Sequence, residues 1–383
     1  MKASPQKPER YIYKIIGHVG LAAFSILIIL ALLPKRSQAA GIMMDKTTGP
    51  VQEHRVQRDV PMSMKTSALF TSYQYLPTLL ENYPPIWQQS IGTAFWQFRT
   101  PHLCADSWYA GAFISGIWQS TDHARSWSPV ATLGTFAFPV IPNPNNCAEV
   151  FVSDWGAGVY RVVNGTLTQI NAGLGTPYVY GLALDGSTLY AGTDLLGVYK
   201  TEIGVIDWQP VNNGISDKRI RFTAAQGSEI FAGSRNCLFY ISINQAASWS
   251  TETVINDTNC PAEAQVWTVL RVNQTLYAGL GNDGGLYYKE NTWQPVPGIP
   301  ARTIFGLAFD QANHDLYVST YGEGIYRCRV EPNSGVPTDC HAYNLGLNIF
   351  SLYTRELNIG TVAGERLLVA GSDNGIWYLS LLP

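Results

Sequence analysis

Charge is what this sequence has least of. Only 14% of its 383 residues are Asp, Glu, Lys or Arg, against about 25% in an average soluble domain. Coiled coils and disordered chains both need far more charge and fewer rings, so neither class fits. Cysteine is sparse too: there are six, with no Cys-x-x-Cys spacing, and the six histidines never cluster. A structural zinc site is therefore not indicated. No Gly-x-Ser-x-Gly elbow, His-Glu-x-x-His helix or phosphate loop occurs, so the common hydrolase and nucleotide-binding signatures are missing. No cofactor is implied. What is abundant is 46% hydrophobic residues, 35 Gly, 22 Pro, 21 Tyr and 11 Trp. Rings and turn-formers in that proportion describe an all-β protein.

The charge that exists is unevenly placed. Residues 1–85 carry 10 Lys and Arg against 5 Asp and Glu, and the remainder carries 15 against 23. A body of net −8 repels phosphate backbones, which argues against nucleic acid as a partner. The only long apolar run is Ile15 to Leu33, preceded by Lys2, Lys7, Arg10 and Lys14. As a helix it would reach about 28 Å, nearly the thickness of a bilayer core. Ser37-Gln38-Ala39 beyond it suits a small-x-small cleavage site. Residues 1–40 thus read as a signal peptide or a membrane anchor, with a membrane link through that helix and an extracytoplasmic body. Residues 41–84 have no sustained periodicity and read as a stalk.

From residue 85 on, one phrase returns seven times: a β-rich run ending in small residues, a short turn, then Gly and an apolar–aromatic pair. Leu189-Tyr-Ala-Gly-Thr with Gly197-Val-Tyr is one copy, and Leu316-Tyr-Val-Ser-Thr with Gly324-Ile-Tyr is another. The steps run from 39 residues (Gly158 to Gly197) to 51 (Gly324 to Gly375). A period near 40 with four short strand signals is that of a propeller blade. In the third copy the strands are expected at Val179–Leu184, Thr188–Gly192, Val198–Thr201 and Trp208–Val211. A Trp often marks the fourth strand: Trp127, Trp208, Trp249 and Trp293. The seventh copy ends without a fourth strand, whereas Pro85-Ile86-Trp87-Gln88-Gln89 resembles one with no blade before it. The expectation is a seven-bladed β-propeller over 85–383, closed when the N-terminal strand completes the last blade and removes an open sheet edge.

Six cysteines suit an oxidising compartment. Of their fifteen pairings the repeat favours three. Cys328 and Cys340 flank one blade's outer hairpin, Cys237 and Cys260 bracket another third-to-fourth-strand unit, and Cys104 and Cys147 occupy similar turns in adjacent blades. Asn164, Asn256 and Asn273 stand in Asn-x-Thr sequons.

Ser120-Thr-Asp122-His-Ala124-Arg-Ser126-Trp127 resembles the Asp-box of sialidase-type propellers, with Ala124 in place of Gly. Ser242-Ile-Asn244-Gln-Ala-Ala-Ser-Trp249 is a decayed copy. The expected role of Ser120, Asp122 and Trp127 is structural: the carboxylate accepts backbone N–H bonds in a turn and the ring packs on the blade. Phe98-Arg99-Thr100-Pro101 resembles the sialidase Phe/Tyr-Arg-Ile-Pro motif, whose Arg binds a carboxylate. The acid that such chemistry also needs is absent, since Ser107 to Thr121 contains no carboxylate.

Ten residues before the aromatic of the second-strand phrase stand Arg99, Tyr180, Arg221 and Trp267. With insertions allowed, Phe138, Phe305 and Phe350 join them. These positions begin the innermost strands and would surround one channel mouth. The turns after the second strands face the same way and supply Asp154, Trp155, Asp194, Asp283, Tyr321 and Glu323, with Asn282, Asp373 and Asn374 beside them. A ring of aromatics and arginines with an acidic rim suits a protein partner or a sugar. The whole body resembles the bacterial WD/YVTN/BNR-like repeat proteins, which include assembly factors and some glycosidases. That resemblance implies a binding or assembly scaffold, with a glycoside hydrolase or lectin-like carbohydrate binder as the alternative. A hydrolase would draw its carboxylates from Asp154, Asp194, Asp283 and Glu323.

Overall fold

The structure is a computed structural model that describes residues 85–256 and 258–381. The expected leader over 1–40 and stalk over 41–84 lie outside the described residues. Among the described residues, 28 strands form seven four-stranded antiparallel sheets, each a blade. Strands are lettered A to D outward from the channel. Blade three has A at Val179–Asp185, B at Thr188–Thr193, C at Gly197–Glu202 and D at Val205–Pro210. Strand D starts three residues before the expected Trp208. The reason is a two-residue turn at Ile203-Gly204, which lets Val205 pair directly with Glu202.

Blade seven takes A, B and C from the C-terminal end (Thr354–Val362, Glu365–Ser372, Gly375–Leu381) and D from Gln88–Gln89. Gln88 stands opposite Tyr378 and Gln89 opposite Trp377. Trp87, beside this strand, is 2% exposed. The ring therefore closes as the orphan Trp87 phrase implied.

One device joins successive blades. The backbone N–H of Trp208 donates to Ala172 and its indole Nε1 to Ile170, both just past strand D of blade two. Trp249 does the same with Asn213 and Val211, and Trp87 with Leu345 and Tyr343. Each acceptor stretch carries Asn-x-Gly. The Asn (171, 212 or 344) accepts the N–H of Val159, Val198 or Ile325 in strand C, which ties D to C within its own blade. The Gly lies against the Trp: a Cβ at Gly214, whose φ is +98°, would meet Trp249 O at 2.2 Å. Only glycine tolerates both that backbone and that approach.

The core lies between blades rather than within them. Phe98, Trp108 and Trp118 of blade one pack with Val369 and Ile376 of blade seven. Tyr109 and Ile117, on the other face of the same strands, pack with Val140 and Val152 of blade two. This follows from the period-two alternation of strands sandwiched on both faces. Full burial contributes about 1.5–3 kcal/mol for each large apolar side chain. Three disulfides are formed, with the expected pairing: Cys104–Cys147, Cys237–Cys260 and Cys328–Cys340.

Candidate functional site

Strand direction alternates, so the D–A loops and B–C turns gather on one face and the A–B and C–D turns on the other. Each strand A enters from the first face behind a buried residue: Phe98, Ala137, Val179, Ile220, Val266, Ile304 and Thr354 are all at most 1% exposed. The pairing of strand A with B shifts register just after this anchor in six of the blades. A bulge of this kind re-aims side chains. Arg99, Tyr180, Trp267 and Phe305 thereby line a central cavity of about 660 Å³, which Arg221 of blade four, where the pairing has no shift, lines as well. Phe138 follows Ala137 in strand A of blade two, and its side chain lies outside the described set.

Phe350 does not join them. It is 65% exposed in the loop ahead of blade seven, and Arg355 with Glu356 follows the anchor Thr354 instead. Strand A has nine residues in blade seven against seven in blade three, and strand B eight against six. That longer hairpin moves the channel position back from the ten-residue count only as far as Arg355, and Phe350 lies beyond it in the D–A loop.

The mouth residues form two connected groups. In the first, Trp155 packs on Phe136, Tyr178 and Tyr180 at 5.3–5.9 Å between centroids. Arg221 lies 3.9 Å from the Tyr180 ring centroid and pairs with Asp194 at 3.2 Å. In the second, Phe305 packs on Trp267 and Tyr321 at 5.5 and 5.6 Å. Arg99 and Arg355 each stand 5.3 Å from the Phe305 ring centroid. Arg99 pairs with Glu356 at 3.5 Å, and Arg355 with Asp373 at 2.6 Å. Tyr321 donates its hydroxyl to the same Asp373 at 2.9 Å. Burial, and next the neighbouring Arg355 charge, push the Arg99 guanidinium down to about 10.

Every carboxylate expected as a catalytic supplier has a partner. Asp154 accepts from Phe136 N at 3.1 Å and from the Thr135 hydroxyl, and burial raises its carboxyl above the usual range. Asp283 accepts from Thr303 N at 3.2 Å, holding turn and loop together. Glu323 pairs with Arg302 at 2.8 Å on the outer rim. Asp194 is held by Arg221. The sequence reading missed Phe136, Tyr178, Arg355 and Glu356. A better signal was the anchor before each channel residue, apolar in six blades and Thr354 before Arg355 in the seventh.

The Asp-box lies in the C–D turn of blade one, on the face away from this mouth. Asp122 accepts from Ser126 N at 2.8 Å and from Ser120 Oγ at 2.8 Å, and Trp127 Nε1 donates to Ala124 O at 3.2 Å. Ala124 adopts φ +60°, which explains why glycine is usual at this box position.

No protein-family model matches the chain, and no curated protein matches it. Solved structures do. The extracellular domain of a hybrid two-component system from B. thetaiotaomicron aligns with a TM-score of 0.59 and 15% identity, covering 77% of this chain and 39% of that one. An ancestral GH74 enzyme aligns at 0.61 and 18%, covering 76% and 46%. YCF48 from Cyanidioschyzon merolae aligns at 0.55 and 14%, covering 77% and 98%. The chain thus spans less than half of the first two. At such identities what is shared is the fold: the protein is a seven-bladed β-propeller repeat protein.

Proposed function

We propose that this is an extracytoplasmic, non-catalytic propeller that binds a partner protein or a carbohydrate through its channel-mouth face. The carrying observation is where exposed apolar side chains stand. Among the described residues, all the exposed large ones except Ile86, Ile91 (which lies against the Asp-box turn), Val205 and Ile243 lie in the D–A loops and B–C turns of the mouth face. Phe95 is 93% exposed, Ile349 71% and Phe350 65%, and Asn374 bonds both to Phe95 N and to Asn348, which brings their two loops together. Exposed apolar surface gathered on one face marks an interaction site. The three disulfides support an oxidising compartment. The likeness to an extracellular domain supports the same placement.

The test is crosslinking with mass spectrometry on the full-length protein in native membranes. Crosslinks from the mouth loops should fall on a defined partner, and Arg99→Ala with Trp267→Ala should abolish its recovery. Unchanged recovery overturns the mouth assignment. The likeness to the GH74 enzyme favours a second reading, glycoside hydrolysis, which needs two carboxylates roughly 5–10 Å apart. Oligosaccharide cleavage that disappears on Asp194→Asn would replace the first reading with this one.

A further inference from the structure

The exposed apolar side chains of the mouth face are not spread around its rim. They occupy one arc, from the loop entering blade seven, through blades one and two, to the B–C turn of blade three. Phe95, Ile114, Tyr178, Leu195, Ile349 and Phe350 are among them. Within that arc, loops 90–97, 132–136, 170–178 and 343–353 and turns 113–115 and 155–157 hold no charged residue. The carboxylates at the edges of its turns, Asp154, Asp194 and Asp373, are each held by neighbours. The rest of the rim, over blades four to six, carries Lys218, Arg219, Arg235, Asp283, Arg302 and Glu323 and, among the described residues, no exposed large apolar side chain.

The arc is also strained. The residue two before the glycine that opens strand C has positive φ in four blades. It is Gly156 and Gly322 in blades two and six, but Ile114 (φ +52°) in blade one and Leu195 (φ +79°) in blade three. Glycine takes that conformation freely, whereas a branched side chain is strained in it. Ile114 is 56% exposed and Leu195 64%, so packing within the molecule does not offset the strain. Phe95, the most exposed of the set, has φ +71°. Strain retained beneath exposed apolar side chains points to a contact outside the molecule.

We propose that this arc docks on the surface of a lipid bilayer, its apolar loop tips entering the interfacial layer, while the cavity and the charged part of the rim stay open to a partner. This goes beyond the reading of the mouth as a partner-binding face and does not depend on it. Three observations favour lipid. First, the loops of the arc offer rings and branched aliphatic side chains with no Lys or Arg beside them. Such side chains enter a bilayer interface without ion pairs, and the hold grows with the apolar area buried. Second, the backbone N–H groups that would leave water are already satisfied. Phe95 N donates to Asn374 Oδ1 at 3.3 Å, Ile114 N to Thr135 O at 2.7 Å and Phe350 N to Asn348 Oδ1 at 3.0 Å. An unsatisfied N–H would oppose entry into lipid. Third, the described chain enters the propeller beside the loop that carries Ile349 and Phe350: Trp87 N donates to Leu345 O at 2.9 Å, and Ile86 lies against Gly346. The apolar run Ile15–Leu33, expected to be a membrane anchor, thus leads into the propeller beside one end of the arc.

The test is to reconstitute the full-length protein into phosphatidylcholine vesicles that carry a diazirine in one acyl chain, irradiate, and map the lipid adducts by mass spectrometry. Adducts should fall on the peptides holding Phe95, Leu195 and Phe350. They should spare Val205 and Ile243, which stand at C–D turns of the far face and are each 74% exposed. Phe95→Ser with Phe350→Ser should cut the yield on the arc by about tenfold or more. Ile114→Gly with Leu195→Gly should lower it too, while the melting temperature holds or rises, because glycine relieves the two left-handed turns. Adding phosphatidylglycerol or salt should leave the yield unchanged, since the arc's loops carry no basic residue. Adducts confined to the Ile15–Leu33 run, adducts equally abundant at Val205 and Ile243, or a yield that follows salt would overturn the proposal. Crosslinks from the arc to a protein with no lipid adducts would also overturn it, and would leave the partner reading of the mouth in place.

Discussion

Glu365 illustrates how a single carboxylate becomes structural when distant residues converge on it. It accepts from Ser380 Oγ at 2.6 Å, His123 Nδ1 at 2.8 Å and Arg125 Nη2 at 2.9 Å. Burial alone would raise its carboxyl, but the hydrogen bonds from Ser380, His123 and Arg125 outweigh burial and hold it down at about 2. A folded value below the ordinary 4.5 means that its stabilisation is complete above that pH and is lost as pH falls from there toward 2. Glu365→Gln should therefore be less stable than the parent at neutral pH, with the difference shrinking across that acid window. Urea midpoints at a series of pH values read this, and a gap independent of pH would refute it. Asp122 was legible from its neighbours because Ser120 and Ser126 sit beside it in sequence. Glu365 was not, because His123 lies 242 residues away and only ring closure brings the two together.

Among elements, strand D of the last blade is the most consequential, although only two residues long. Its hold comes from Trp87, which repeats the contacts of Trp208 and Trp249 and packs with Tyr317, Leu368 and Trp377. Trp87→Ala removes a buried ring and the bond to Tyr343 O, and should cost about 3–5 kcal/mol. The same change at half-buried Trp293, which contacts Phe239 and Glu252, should cost less. Chemical denaturation of both variants checks the order, and equal losses would mean that closure adds nothing at Trp87. The Trp of strand D was readable as a recurrent marker. The Asn-x-Gly that receives the next Trp recurs as plainly, at Asn171, Asn212 and Asn344, but reads as an ordinary turn until the neighbouring blade is in place. Hairpin length was the element-scale property that hid Arg355 from the ten-residue count, since extra cross-strand pairs in blade seven leave no mark at the turn itself.

For the whole molecule, the seam between blades one and two is locked by Cys104–Cys147, which spans 43 residues, whereas Cys328–Cys340 spans 12 within one blade. On the loop-entropy account, removing the first by a double Cys→Ala change should cost about 4 kcal/mol and the second about 3 kcal/mol. Denaturant titration of the two double variants under oxidising conditions checks this, and a larger loss for the shorter loop would contradict it. Taken alone, the amino-acid order determined the all-β class, seven repeats, the closing strand, the three cysteine pairs and the structural part of the Asp-box. Each of these is a local pattern or a count, because a blade is a run of adjacent strands whose alternation and turns are written consecutively. The tertiary structure alone decided which side chains meet at the mouth. Arg99 reaches Phe305 and Glu356, Arg355 reaches Asp373 and Phe305, and Arg221 reaches Asp194. The contacts of Arg99 join blades far apart in sequence around one axis, the others join a turn to a strand within one blade or to the next blade, and bulges and hairpin lengths set their aim. No local pattern encodes either, because both depend on how strands pair across the closed ring.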